Sequence, residues 1–387
     1  MDAVSVRRGV AKVAEDFASV RSERQMRSEL DEADFRLLAG AGLQASGLPA
    51  EHGGLWHTLP DSTRSICEIY RALAHGDSSV ALVASMHPAV LSFWLATPDV
   101  PEPDTAAWRE QRAAVFDSVE QGAWWGTITS EPGSGGDIHR SRAVARRDGD
   151  GWRLTGQKHF GSGSGITSYM LTTAVPDGEE DPDWFYIPVA RKPFDGSAGI
   201  TLVAPWDGHG MRATQSHALL FDDCPAERLA WPGHLDDLVG AVAPFIATLF
   251  TAVVLGILET AVETARAQLA PKAESLRPYE QVEWAQAELE AWTAVQAYEG
   301  MLRAVESGTP ALGAALRGKT ITAQLAESSL QRIGRVLGGA TFARHSPFGH
   351  WFEDVRALGF LRPPWGLAFD GLLADSWEPT IGATPLA

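Results

Sequence analysis

Trp125-Gly126-Thr127-Ile128-Thr129-Ser130-Glu131-Pro132-Gly133-Ser134-Gly135-Gly136-Asp137 is the stretch from which the rest of the chain is read. Its first residues are aromatic or β-branched, which predicts a strand, and the strand runs straight into a glycine-rich turn. Glycines let backbone amides come close to a ligand, and the amides and hydroxyls of such a turn bind carbonyl or phosphate oxygens. It is not a dinucleotide fingerprint, because no βαβ unit follows, nor a phosphate loop, because the Gly-Lys-Ser/Thr ending is absent. Standing alone, it is more often a plain turn.

Working outward, more short strands are predicted as far as Trp231, at 143–147, 152–155, 169–173, 184–189 and 218–221, with Asp148-Gly149-Asp150-Gly151 as the hairpin turn between the first two. On both sides the apolar period changes to three and four. Leu30, Phe35 and Leu38 show it, as do Ile66, Ile69, Tyr70 and Leu73, and it returns from about Leu235 to the end. The predicted order is helices over 1–120, an antiparallel β unit over 121–232 and helices over 233–387.

Composition narrows the function. With 387 residues, 45% hydrophobic and 21% charged, the chain exceeds one core and is no small binding module. Forty-nine acids against 32 bases leave a net charge of −17, which argues against nucleic acid as a partner. Cys67 and Cys224 have no metal-ligand spacing, and the charged N-terminal pattern is unlike a signal peptide, so a cytoplasmic location is expected. The uncharged stretch 238–258 is long enough to span a bilayer. It holds Pro244, Thr248 and Thr251 and lies between Asp236, Asp237 and Glu259, so a buried helix and no membrane partner are expected.

Two further motifs follow the first. Leu154-Thr155-Gly156-Gln157-Lys158-His159-Phe160-Gly161-Ser162-Gly163-Ser164-Gly165 sets an aromatic and a hydroxyl among glycines, suited to a flat ring with a polar edge. Trp206-Asp207-Gly208-His209-Gly210-Met211-Arg212-Ala213-Thr214-Gln215-Ser216-His217 feeds a strand ending in acids and proline. In this order the three resemble the acyl-CoA dehydrogenase superfamily, with its Thr-Glu-Pro-Gly-x-Gly-Ser-Asp, Gly-x-Lys-x-Trp-Ile-Thr and Gly-x-Arg-x-Ser/Thr. Leu48-Pro49-Ala50-Glu51-His52-Gly53-Gly54 and Arg335-Val336-Leu337-Gly338-Gly339 are similar to its outer motifs. The resemblance implies an α+β multidomain fold: an N-terminal all-α domain, a middle antiparallel β-barrel and a C-terminal four-helix bundle. It also implies FAD or FMN between the last two, in a homotetramer or homodimer. Ile128, Thr129 and Ser130 would flank the flavin, Phe160 would stand beside its ring, and Ser162 near its reactive edge. Gly338 and Gly339 would approach the dinucleotide of a neighbouring subunit.

The departures direct the functional reading. Where the dehydrogenases carry a glutamate base eight residues after a late Arg-Asp pair, this chain has Glu353-Asp354 and then Arg362, and a guanidinium is no base at neutral pH. The other glutamate position of the family falls in the uncharged 238–258 stretch. The flavin-dependent monooxygenases of the same architecture, the dibenzothiophene and amino-sugar oxygenases, have closer segments at Gly156 to Gly163 and Trp206 to Ser216. Those enzymes take reduced flavin from a separate reductase and form a flavin hydroperoxide. The resemblance therefore implies a two-component monooxygenase for a small apolar or aromatic substrate. Ser162 would steady the oxygenated flavin, His87 would orient peroxide or a substrate proton, and Trp206, His217 and Arg362 would line the substrate pocket. For His87 a backbone-satisfied core histidine is an equal reading. An acyl-thioester or amine dehydrogenase with a relocated base, and a non-catalytic flavin-binding subunit, remain as rivals.

Overall fold

The structure, a computed structural model, describes residues 2–308 and 311–377. Helices Ala3–Ser19, Glu32–Gly40, Leu59–Ala74, Ser78–Leu95 and Thr105–Glu120 form the first region. Ser78–Leu95 is its central rod: Asp77 caps it by accepting from the Val80 amide at 2.9 Å, and all its residues beyond the first are buried. After the β unit, helices Leu235–Leu269, Pro278–Glu306 and Leu312–Leu337 pack side by side, and the short helix Pro347–Val355 packs on the first and third of them.

Two helical segments, Ser78–Leu95 and Leu235–Ser275, are long and apolar enough to cross a membrane, and the most apolar window of each is 94% and 83% buried within the protein. The uncharged 238–258 stretch is thus covered by other helices. Glu259, at its end, is bound by Arg71 and His75. Burial opposes its ionisation, but these hydrogen bonds win and hold its carboxyl down at about 2.

The middle region holds β1 Trp125–Thr127, β2 Val144–Asp148, β3 Gly151–Gly161, β4 Tyr169–Pro176, β5 Asp183–Pro188, β6 Ile200–Ala204 and β7 His217–Arg228. The ring β4-β2-β3-β7-β5 closes through a β4–β5 pairing, which leaves β1 on β4 and β6 on β7. Closure removes sheet edges and makes a barrel. Its interior is apolar, with Leu154, Met170, Phe185, Ile187, Leu219 and Phe221 buried. The expected hairpin is present, with Asp148 opposite Gly151. The barrel is not wholly antiparallel as expected: β4 runs parallel to both β1 and β2. Those pairs are joined by long connections, so nothing forces adjacent strands to reverse direction.

One irregularity in β3 governs the site. Lys158 pairs with Leu219 and Gly161 with His217, so two residues, His159 and Phe160, stand opposite one. This bulge interrupts the alternation that puts Trp152, Leu154 and Lys158 inside. Phe160 would have followed them inward. Instead it takes a left-handed backbone, φ 60°, and its ring is turned out of the barrel and is 59% exposed.

Candidate functional site

The end of the first motif lies alongside the bulge. Ser130 bridges His159, whose amide donates to the Ser130 carbonyl at 2.8 Å, so Thr129 lies across from Phe160. A buried ion pair ties the two motifs together. Lys158 Nζ reaches Glu131 Oε1 at 2.6 Å and the Thr173 carbonyl at 2.6 Å, and Glu131 also accepts from the Ser141 hydroxyl and the Arg142 and Ala143 amides. Burial pushes the Lys158 amine down to about 8, while Lys158 holds the Glu131 carboxyl below its ordinary range against burial. This pair escaped the sequence reading. Its one signal was a lysine on the inward phase of an otherwise apolar strand.

Arg362 enters from the C-terminal region. Its Nε and Nη2 both donate to the Thr129 hydroxyl, at 3.1 and 2.7 Å, and Nη1 donates to the Gly136 carbonyl at 2.7 Å. Gly136 has φ 82°, and a Cβ there would stand 2.9 Å from Pro364, so the glycine-rich turn and the 362–364 segment need that glycine to meet. Arg362 is partly buried and, among the described residues, forms no ion pair. Burial pushes its guanidinium down to about 10 despite the through-space attraction of Asp137.

The third motif supplies the remaining wall. Trp206 is half-buried, with its ring edge-on to Phe160 at 6.2 Å and 84° and its Nε1 donating to the Met211 carbonyl at 3.0 Å. His217 Nδ1 accepts from the Trp206 amide at 2.9 Å, so this histidine positions the tryptophan, and burial lowers its pKa. The Ser162, Ser216 and Thr214 hydroxyls form a chain with links of 2.9 and 2.7 Å, and Thr214 donates to the Met211 carbonyl at 2.8 Å. The loop carrying these residues is fastened to both helical regions. Met211 donates its amide to Asp354 at 2.6 Å, Ala213 donates to Ser79 at 3.3 Å, and Gln215 accepts from the Leu30 amide at 3.3 Å. Gly210 approaches so closely that a Cβ would lie 2.3 Å from the Glu353 carbonyl.

Thr129, Ser130, Phe160, Ser162, Trp206, His217 and Arg362 are thus brought together, and four expected members, His87, Ile128, Gly338 and Gly339, do not join them in this chain. His87 is fully buried, with Nδ1 accepting from the Trp125 amide at 3.0 Å and Nε2 donating to the Gln44 carbonyl at 3.1 Å. With both nitrogens committed and burial pushing its pKa to about 3, it is a neutral structural brace and not a catalytic group. Ile128 is a second correction. Its side chain belongs to the barrel core, its amide is bound to the Leu171 carbonyl and its own carbonyl accepts from Thr172, so it has nothing left to offer a ligand. Gly338 and Gly339 end the Leu312–Leu337 helix, half-buried and exposed respectively.

The donor set fits a flavin. An uncovered aromatic ring, the hydroxyls of Thr129 and Ser130 and a guanidinium with spare N–H groups suit a flat heteroaromatic ring with a polar edge. Residues 126–224 match the model of the acyl-CoA dehydrogenase middle domain. The chain is 26% identical over 390 residues to YdbM of Bacillus subtilis (strain 168), a protein named as a candidate acyl-CoA dehydrogenase, covering 95% of this chain and 96% of that one. It is 27% identical over 275 residues to the dibenzothiophene monooxygenase of Rhodococcus erythropolis, covering 68% of this chain and only 61% of that enzyme. The structure of FMN-bound TdsC from Paenibacillus sp. A11-2 has the same fold, with a TM-score of 0.78 over 97% of this chain and 98% of that one, at 20% identity.

Proposed function

We propose that this chain, whose residues 126–224 match the acyl-CoA dehydrogenase middle domain, is a member of that superfamily and works as a two-component flavin-dependent monooxygenase acting on a small apolar or aromatic substrate. The observation that carries the reading is Arg362 on the Thr129 hydroxyl: a permanent cation stands at the position that, by the resemblance of the late motif, would carry a dehydrogenase's glutamate base. Three nearby carboxylates are otherwise engaged. Glu131 is saturated by Lys158, Ser141 and two amides, Asp354 is tied to Met211 and Ser78, and Asp137 Oδ1 caps the next turn through the His139 amide.

Bound reduced flavin, FMN or FAD, would supply the activation of O2, with one oxygen atom passing to the substrate and the other leaving as water. The chain's part is positioning and exclusion. Phe160 and Trp206 present an apolar wall, Thr129 and Ser130 offer hydroxyls to the ring's polar edge, and Arg362 balances negative charge there. The reading includes a separate reductase as the source of reduced flavin. It also includes a homo-oligomer, supported by Tyr279, Val282, Leu289 and Trp292, which recur on one face of the Pro278–Glu306 helix and are each more than half exposed. The long match to YdbM favours a second reading, an acyl-thioester dehydrogenase with a relocated base.

The test is to give the protein reduced FMN or FAD, 18O2 and dibenzothiophene or indole in one reaction. A parallel reaction contains acyl-CoA with an artificial electron acceptor. A product carrying one labelled oxygen is expected from the first and no turnover from the second. Acyl-CoA oxidation without label incorporation would replace the oxygenase with the dehydrogenase.

A further inference from the structure

Two histidines in this chain make the same tie, and only one of them is placed to let go. His87 and His217 each use Nδ1 to accept a main-chain amide, that of Trp125 at 3.0 Å and that of Trp206 at 2.9 Å. A neutral imidazole carries one proton, so in both rings it sits on Nε2, and a second proton can be added only to the accepting Nδ1. Protonation would thus do more than add charge: it would set one N–H against another. His87 is fully buried and stays neutral. His217 is only half-buried, at the first residue of β7, opposite Gly161 of β3.

The tie ends a ladder that cannot continue. β6 pairs with β7 as far as Ala204, opposite Ala218, and Pro205 brings no amide. The next amide, that of Trp206, turns to the His217 ring instead of the β7 backbone. Beyond it the chain folds round its own indole. Gly208 lies so close that a Cβ there would overlap the Trp206 ring, and the indole Nε1 donates to the Met211 carbonyl at 3.0 Å. Trp206 therefore has two anchors, one for its ring and one for its main chain, and the second is a titratable group.

The elements around His217 bring few charges. β6 has none, and the facing end of β3 brings His159 and Lys158, which is already paired with Glu131. Phe194, whose ring meets His217 edge-on at 6.5 Å and 83°, stands between Lys192 and Asp195. The loop itself carries Asp207, His209 and Arg212, and the segment whose Leu30 amide binds Gln215 brings Glu29. Burial outweighs the through-space pull of Glu29 and holds the His217 pKa below the ordinary 6.5.

Resting on the reading of Phe160 and Trp206 as an apolar wall of the substrate pocket, we propose that His217 is the positioning residue of that wall: neutral, it fixes Trp206 edge-on to Phe160, and protonated, it releases it. The pocket then holds a flat apolar ligand near neutral pH and loses its grip in acid.

The experiment uses the full chain labelled with 5-fluorotryptophan, the Trp206 resonance being the one missing in Trp206→Phe. Its 19F shift is followed from about pH 5 to about pH 8, a range centred on the ordinary histidine value. Indole affinity is measured by calorimetry at both ends of that range, with FMN present. In the wild type the resonance is expected to titrate in one step with a midpoint below 6.5. Indole is expected to bind about tenfold more weakly at the acid end, the weight of one hydrogen bond turned into a donor–donor contact. His217→Asn sets an amide oxygen near the place of Nδ1 and should keep the neutral-pH shift and affinity across the range. His217→Phe should show the acid-end values at every pH. Asp354 and the other histidines are intact in both variants, so they cannot supply the difference. A wild-type resonance that does not move, one that still titrates in His217→Asn, or indole that binds equally at both ends or not at all would overturn the proposal. Titration of the resonance and of indole affinity without oxygen transfer would leave it standing and reject the oxygenase; oxygen transfer with a Trp206 resonance indifferent to pH would do the reverse.

Discussion

Replacing Asp354 with asparagine is expected to stabilise the protein at neutral pH, although Asp354 is one of the ties between the Trp206–His217 loop and the C-terminal region. The carboxyl accepts the Met211 amide at 2.6 Å and the Ser78 hydroxyl, and it faces a cavity of about 30 Å³, room for one water, shared with Arg24, Asp77, Arg212 and His350. Burial raises its pKa from 3.8 to about 6, reinforced by Asp77 and opposed by the two hydrogen bonds and by His350. The folded state therefore holds this proton more tightly than the unfolded chain does. The corresponding stability is fully present below pH 3.8 and is lost as pH rises through 6. At about 1.4 kcal/mol per tenfold change in proton affinity, the difference amounts to about 3 kcal/mol at most. Asparagine keeps an acceptor for Met211 and gives Ser78 a donor, with no charge to bury. Urea unfolding followed by tryptophan fluorescence should find variant and wild type alike near pH 4. The variant's advantage should grow to about 3 kcal/mol by pH 7. A difference that stays flat with pH, or a variant less stable at pH 7, would refute the argument.

Two other substitutions test the remaining parts of the account. Lys158→Met strands the Glu131 carboxylate inside the barrel and should cost about 3–5 kcal/mol in the same unfolding assay; a loss below about 1 kcal/mol would mean the pair does not hold the two motifs together. Trp292→Glu places a charge in the exposed apolar face of the Pro278–Glu306 helix and should shift the protein toward monomer in light scattering, with an unchanged mass removing that face from the assembly.

Much of the fold could be read from periodicity because burial follows it. The alternation of two exposes the Asp148–Gly151 hairpin, and the period of three and four exposes the buried helices on both sides. The site was less legible, for reasons particular to its residues. Ile128 looked like a flavin neighbour from its place in a motif, yet a strand residue whose side chain fills a barrel and whose backbone is paired has no free group. Sequence does not show that pairing. His87 was open to two readings, and the amide of Trp125 and the carbonyl of Gln44, both distant in sequence, decide between them. The bulge at His159–Phe160 leaves no mark in composition, since strict alternation would have put Phe160 inside. Lys158 could have been found, because a lysine in phase with Trp152 and Leu154 must have a buried partner, and the neighbouring motif holds only two acids, Glu131 and Asp137.

The loop from Trp206 to His217 ties the barrel to both helical regions, largely through main-chain groups: the amides of Met211 and Ala213 donate outward, while the Gln215 side-chain oxygen receives the amide of Leu30. An amide belongs to every residue except proline, so the side chains at 211 and 213 can drift over evolutionary time without loosening these ties. The spacing cannot. Adding or deleting one residue between Gly210 and Gln215 would move each donor off its acceptor together, so related chains that diverge widely in spelling through this loop should still agree in its length.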